Sequence, residues 1–288
     1  MATISAVLVV YNEEARIETT LRCALWCDEI VVLDKQSTDH TREIARRYTD
    51  KVYEMPYSDF EPDELQKILK HTNSEWILRL TTSDVMHPAL AAQIRELIER
   101  DDFPYDVIHV PFRRYVLGLE TKRSPWYSKV VPVVFRQRVV KSRHDSVHEA
   151  VGFDTKRHYK MANSTKHCMY HLTHETADIM MEHHLRYWRT EGRLFPPDSS
   201  MGKAGLAIPI AIYRVFVQRK TFLMGWNGIA LGAAYLSYVL LRFVYIWEHR
   251  HSEATEAYQQ IRSSILQAWD SPARGAAHDR QSFGSHQN

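Results

Sequence analysis

Two short apolar runs near the start constrain this chain most. Ser5-Ala6-Val7-Leu8-Val9-Val10 and Ile30-Val31-Val32-Leu33 are uncharged and rich in β-branched residues. Such near-continuous runs suit parallel strands buried on both faces. Between them lie Tyr11-Asn12-Glu13-Glu14 and a segment with Ile17, Leu21, Ala24 and Leu25 on one helical face. Asn12 is the expected N-cap, with Glu13 and Glu14 in the first helical turn, where the macrodipole favours negative charge. The second run delivers Asp34 to its carboxyl end, the edge at which open α/β sheets bind ligands. Ser37-Thr38-Asp39 then starts a third element.

The alternation continues. Lys51-Val52-Tyr53-Glu54 reads as a third strand, residues 58–71 as a loop becoming a helix, and Trp76-Ile77-Leu78-Arg79-Leu80 as a fourth strand. Pro88 opens another helix at a position where proline is tolerated. The order predicts an α/β fold, a Rossmann-like, right-handed, mostly parallel doubly wound sheet. Strands at 106–110 and 130–135 follow, then a polar turn at 143–152 and four helical stretches from residue 175 onward. Beyond Ser271 the composition reads as a disordered tail. The expected divisions are 1–100, 101–174, a helical appendage at 175–270, and a tail at 271–288.

At 288 residues and 44% hydrophobic content, the chain can bury a full core. A formal net charge of +2 without a long basic run argues against nucleic acid as a partner. Cys23, Cys27 and Cys168 read as thiols of a reducing cytosol rather than disulfides. No basic start precedes the first apolar run, so no secretory leader is expected and the location reads as cytoplasmic.

An apolar strand ending in Tyr11-Asn12-Glu13-Glu14, then Asp28-Glu29-Ile30-Val31-Val32-Leu33-Asp34 followed by Ser37-Thr38-Asp39 and Thr41, resembles the start of a family-2 inverting glycosyltransferase. Within that family the chain is most similar to bacterial lipopolysaccharide-core glucosyltransferases. The resemblance implies a GT-A fold with a UDP-linked hexose, glucose, as donor. It also implies a saccharide acceptor anchored to an envelope lipid. Tyr11, Asn12, Glu13 and Asp34 are the expected nucleotide-binding residues, with Ser83 and Arg136 also on the donor side.

One departure stands out. The family's acidic Asp-x-Asp positions are Thr81 and Ser83 here, leaving Asp84 as the only carboxylate. A hard divalent cation such as Mg²⁺ or Mn²⁺ can be held by one carboxylate plus substrate phosphates, which makes Asp84 the metal candidate. Arginines holding the leaving group without metal are the alternative. Phe135-Arg136 and Arg143-His144-Asp145-Ser146-Val147-His148-Glu149 resemble the family's Phe-Arg and Val-His-Glu block. By that resemblance Glu149 is the general base and His148 orients it, with Asp145 as the fallback base.

His167, His171, His174, His183 and His184 invite a zinc reading, but their spacing is poor and no paired cysteines accompany them. His171 resembles a recurrent family histidine. Residues 227–247 carry one charge, Arg242, and 203–250 carry six Lys and Arg against one acid, Glu248. That combination fits peripheral docking on the anionic cytoplasmic face of the inner membrane, a true span, or a core helix. Two rival functions remain: a sugar nucleotidyltransferase, against which the absence of a Gly-rich basic loop after the first strand speaks, and a non-catalytic nucleotide-sugar binder or membrane scaffold.

Overall fold

The two apolar runs pair as read. Strand β1 (Ile4–Val10) lies parallel to β2 (Glu29–Asp34), with Val10 level with Asp34. In this computed structural model, residues 1–58, 64–141, 151–251 and 253–270 are described. Strand β3 (Val52–Glu54) extends β2, and β4 (Trp76–Leu80) adds in parallel on the other side of β1. Helices α1 (Ile17–Ala24), α2 (Thr41–Arg46) and α3 (Glu64–Leu69) connect them. Both faces are covered: Leu8, Trp76, Leu78 and Ile94 belong to one apolar cluster, and Val7, Val31, Ile77 and Phe135 to the other.

The start of α1 differs from expectation. The helix begins at Ile17, and Asn12 is not its N-cap. Asn12 has φ +52°, in the left-handed region that asparagine tolerates better than most residues, whereas an N-cap sits in extended backbone. Glu13 and Glu14 accordingly precede the helix.

Beyond β4 the sheet becomes mixed. A short β5 (Asp84–Met86) leads into α4 (Pro88–Ile98), then come β6 (Val107–Val116) and β7 (Val130–Arg136). Strand β7 inserts antiparallel between β4 and β6. Two two-residue strands, β8 (Val140–Lys141) and β9 (Gly152–Phe153), form a separate ladder. Strands β10 (His158–Lys160) and β11 (Met169–Thr173) both run parallel to β6, and β11 pairs antiparallel with β5. The order is β3-β2-β1-β4-β7-β6-β11-β5, with β10 beside β6.

Helices follow: α5 (Ala177–Leu194), α6 (Met201–Gly205), α7 (Ala207–Tyr213), a π-turn at Arg214–Gln218, α8 (Trp226–Arg250) and α9 (Ala254–Asp270). The chain divides into two compact units, Met1–Ile246 and Trp247–Asn288. Helices α5 to α7 and most of α8 therefore share a unit with the sheet.

Within that unit, α6, α7 and the π-turn run back along α8 as a helical hairpin. Arg214 donates to the Tyr235 hydroxyl at 2.6 Å. Small residues permit the close approach: a Cβ on Gly228 would lie 1.7 Å from the Thr221 carbonyl oxygen, and one on Gly232 would lie 3.0 Å from Val215. Helix α5 packs on the same helix through the Trp188 indole, which donates to the Tyr238 carbonyl at 2.9 Å, and through the Arg242–Glu191 ion pair.

Gly228→Ala should therefore lower the thermal midpoint despite alanine's better helix propensity, because overpacking against backbone costs about 1–3 kcal/mol. Gly202→Ala is the control: its added Cβ meets only the Ser200 hydroxyl at 3.7 Å, so its midpoint should stay level or rise. Equal midpoints for the two variants in a thermal melt would contradict this packing.

Candidate active site

The carboxyl ends of β1, β2 and β4 converge on one edge of the sheet, and their turns are joined by side chains. The Asn12 amide donates to the Ser37 hydroxyl at 2.9 Å, and the Asn12 side-chain oxygen accepts from the Thr38 amide at 2.8 Å. The Glu13 amide donates to the Thr41 hydroxyl at 2.7 Å, and the Glu14 carboxylate accepts from the His40 amide at 3.0 Å. The conspicuous Tyr11–Glu14 and Ser37–Thr41 stretches thus fasten one turn to the other.

Asp34 sits inside this clasp, fully buried. Its Oδ2 accepts from the Ser37 amide at 2.9 Å and lies 3.4 Å from Arg42 Nε. Its Oδ1 is buried with no hydrogen-bond partner. An unsatisfied buried carboxylate oxygen is costly, which marks it as an acceptor waiting for a donor. Tyr11, at the end of β1, packs against Tyr57 with the rings tilted by 40° and their centroids 4.1 Å apart.

The turn after β4 is the second wall. Asp84 is 4% exposed; its Oδ2 accepts from the Thr81 amide at 2.7 Å and the Thr81 hydroxyl at 2.9 Å. Its Oδ1 meets Nδ1 of His171 on β11 at 2.7 Å. Arg16 links the two walls, donating to Glu13 at 2.6 Å and to the Ser83 hydroxyl at 3.3 Å. Capping of α4 falls to His87, whose Nδ1 accepts from the Ala89 amide, so Asp84 is not the N-cap before Pro88.

The donor set for a divalent cation can be tested on this geometry. Asp84 and His171 converge on one point, and the hydroxyls of Thr81 and Ser83 belong to the same turn. One carboxylate fits Mg²⁺ or Mn²⁺ when substrate phosphates complete the shell, whereas an imidazole suits a transition ion rather than Mg²⁺. Among the described residues no group of three His, Cys, Asp or Glu is placed to hold a metal by itself. The five histidines do not form a zinc site. His174 and His184 are buried with rings 5.1 Å apart, and burial together with neighbouring histidines pushes the His174 imidazole down to about 3.

The structure does not bring every expected residue here. Arg136 lies at the opposite edge, in register with Trp76 at the start of β4; its guanidinium stacks on the Trp76 ring at 4.4 Å and pairs with Glu75. That correction follows from β7 running antiparallel, which puts its last residue beside the first of β4. Asp145, His148 and Glu149 lie outside the described residues.

Two arginines escaped the sequence reading. Arg79 reaches solvent from the central strand β4, beside Val7 of β1. Arg114 of β6 is level with His171 of β11, and its Nε is buried without a partner. An arginine in a run that otherwise reads as a buried strand was the available signal at Arg79. Arg114 belongs to the Arg113-Arg114-Tyr115 run, whose spacing before Phe135-Arg136 resembles the family pattern, but its neighbour in space, His171, comes from β11.

The sequence model described as "Glycosyl transferase family 2" matches residues 5–161, just over half of the chain. The chain is similar to residues 1–349 of S. aureus TarS in complex with UDP-GlcNAc, at 15% identity and TM-score 0.46, covering 87% of this chain and 92% of that one. It is also similar to glucosyl-3-phosphoglycerate synthase from Mycobacterium tuberculosis, solved with Mn²⁺, UDP-glucose and phosphoglyceric acid. There the identity is 22% and the TM-score 0.31, over 39% of this chain and 44% of that one. With its mixed, mostly parallel sheet in the GT-A arrangement and its C-terminal helices, this chain is a glycosyltransferase and belongs to glycosyl transferase family 2.

Proposed function

We propose that the protein transfers a hexose, glucose, from a UDP-linked donor to a lipid-anchored saccharide of the cell envelope, with inversion at the anomeric carbon. The observation that carries the donor assignment is the buried, unpartnered Oδ1 of Asp34 at the carboxyl edge of β2. A uracil N–H or a ribose hydroxyl would satisfy it. Tyr11 beside it offers a ring face to the base, while Asn12 and Glu13 hold the turn that frames the nucleotide.

Inversion needs one displacement. The acceptor hydroxyl loses its proton to a base, its oxygen attacks the anomeric carbon, and the bond from that carbon to the diphosphate oxygen breaks on the opposite face. Glu149 is the base in this reading, oriented by His148, with Asp145 as the fallback. Asp84 and His171, with Ser83 alongside, would hold a divalent cation whose charge offsets that of the departing diphosphate. Arg16 is the protein's own positive charge at that turn.

Membrane contact belongs to the same proposal. Among the described residues α8 is the one helix long and apolar enough to cross a bilayer. Its inner face is nevertheless committed to protein through Gly228, Leu231, Gly232 and the Arg242–Glu191 pair. The hairpin turn instead presents Phe222, Leu223 and Trp226 to solvent, Trp226 at 84% exposure, next to exposed Lys220. An apolar tip flanked by basic side chains suits insertion into an anionic leaflet, where a lipid-linked acceptor resides.

Asp34→Ala should weaken UDP binding at least about tenfold, or about 1.4 kcal/mol, by calorimetry; unchanged affinity would refute the donor site. Glu149→Gln should cut transfer about 10²–10⁴-fold with UDP affinity intact. Unaltered turnover of UDP-glucose in that variant would remove Glu149 from the chemistry. Replacing Phe222, Leu223 and Trp226 with serine should abolish co-flotation with vesicles containing phosphatidylglycerol. Undiminished flotation would place the contact elsewhere.

A further inference from the structure

Beyond Asp84 and His171 lies a cavity of about 490 Å³ that the donor reading leaves without an occupant. Its floor is β6 and β11, contributing Arg114 and His171, and its walls are α5, the π-turn and α8, contributing Tyr187, Arg214 and Tyr235. The size falls within the range of ligand sites. Among the described residues no carboxylate lines it.

That lining is unusual for two enclosed cations. Among the described residues Arg114 has no ion-pair partner; its guanidinium lies 5.4 Å from the Phe112 ring centroid, and its Nε is buried without an acceptor there. Arg214 is held by the Tyr235 hydroxyl at 2.6 Å rather than by an acid. By contrast, Arg16 pairs with Glu13, Arg42 with Glu54, and Arg113 with Glu120. Guanidinium groups spared such partners suit the planar, two-pronged recognition of phosphate or carboxylate. Trp126, packed edge-on against Tyr235 with ring centroids 5.2 Å apart, and Tyr187 add the ring faces that sugar C–H surfaces pack on.

Position assigns this anion to the acceptor. Asp34 lies on β2, while the cavity is built on β6 and β11, across β1, β4 and β7 in the sheet order. His171 touches both the Asp84 turn and the cavity. We infer that the acceptor is an anionic saccharide, carrying a phosphate or carboxylate that Arg114 and Arg214 bind in the cavity between the sheet and the C-terminal helices. This rests on the glycosyl-transfer reading and narrows its acceptor class.

The test is titration of glucose 6-phosphate, glucuronate, inorganic phosphate and glucose into the full chain already saturated with UDP, followed by calorimetry. The charged sugars should bind at least tenfold more tightly than glucose. That preference should fall at least tenfold in Arg114→Met and in Arg214→Gln, with UDP affinity within twofold of wild type. The Arg214→Gln variant, on a separate element, keeps the test open if Arg114→Met fails to fold. No preference for charged sugars over glucose, with normal UDP binding, overturns the inference alone. Charged sugars displaced by UDP, or UDP affinity lost in both variants, would reassign the arginines to the donor diphosphate. Failure of the wild-type chain to bind UDP at all would instead bring down the transferase reading, and the acceptor assignment with it.

Discussion

The hydrogen bond between Asp84 and His171 ties the two halves of this sheet together at the site. One carboxylate does two structural jobs. Its Oδ2 closes the Thr81–Asp84 turn, and its Oδ1 fixes His171 at 2.7 Å. His171 is in register with Asp84 on one side of β11 and with Arg114 on the other. The Thr81–Asp84 turn and Arg114 are thereby set relative to each other by one pair. Buried and largely shielded from water, such a contact is strengthened by the low local dielectric. In the proposed mechanism the same pair would sit beside the departing diphosphate, at the joint between the halves.

On the donor side the same economy appears in the clasp of Asn12, Glu13 and Glu14 with Ser37 to Thr41. Hydrogen bonds to hydroxyls and backbone amides hold two loops that would otherwise move independently, and Asp34 is kept rigid between them. In the proposed donor site, a carboxylate held in place with one unsatisfied oxygen would take a ligand without first having to be ordered.

Much of the first half was legible in the sequence. Strands β1, β2 and β4 are carried by uninterrupted apolar runs, and α4 by Pro88 at its first position, because these are local signals with strong periodicity. Asn12 was misread because asparagine serves both as N-cap and as left-handed residue, and only the partners Ser37 and Thr38 decide between them. Arg136 was misplaced because a motif spacing says nothing of strand direction, and the antiparallel insertion of β7 moves it to the far edge. The cavity was invisible for a related reason. Arg114 and Arg214 are a hundred positions apart in sequence, and no local pattern joins them. The C-terminal helices showed their apolar length plainly, but whether Arg242 faced lipid or protein depended on Glu191, which pairs with it from α5.

The central claim is a nucleotide-sugar site spanning Asp34 and the Asp84–His171 turn. Its most direct test is calorimetric titration of UDP into the purified chain with Mn²⁺ present, repeated after EDTA. The account predicts one UDP per chain, bound more tightly with Mn²⁺ than without. Absence of binding under both conditions would contradict it.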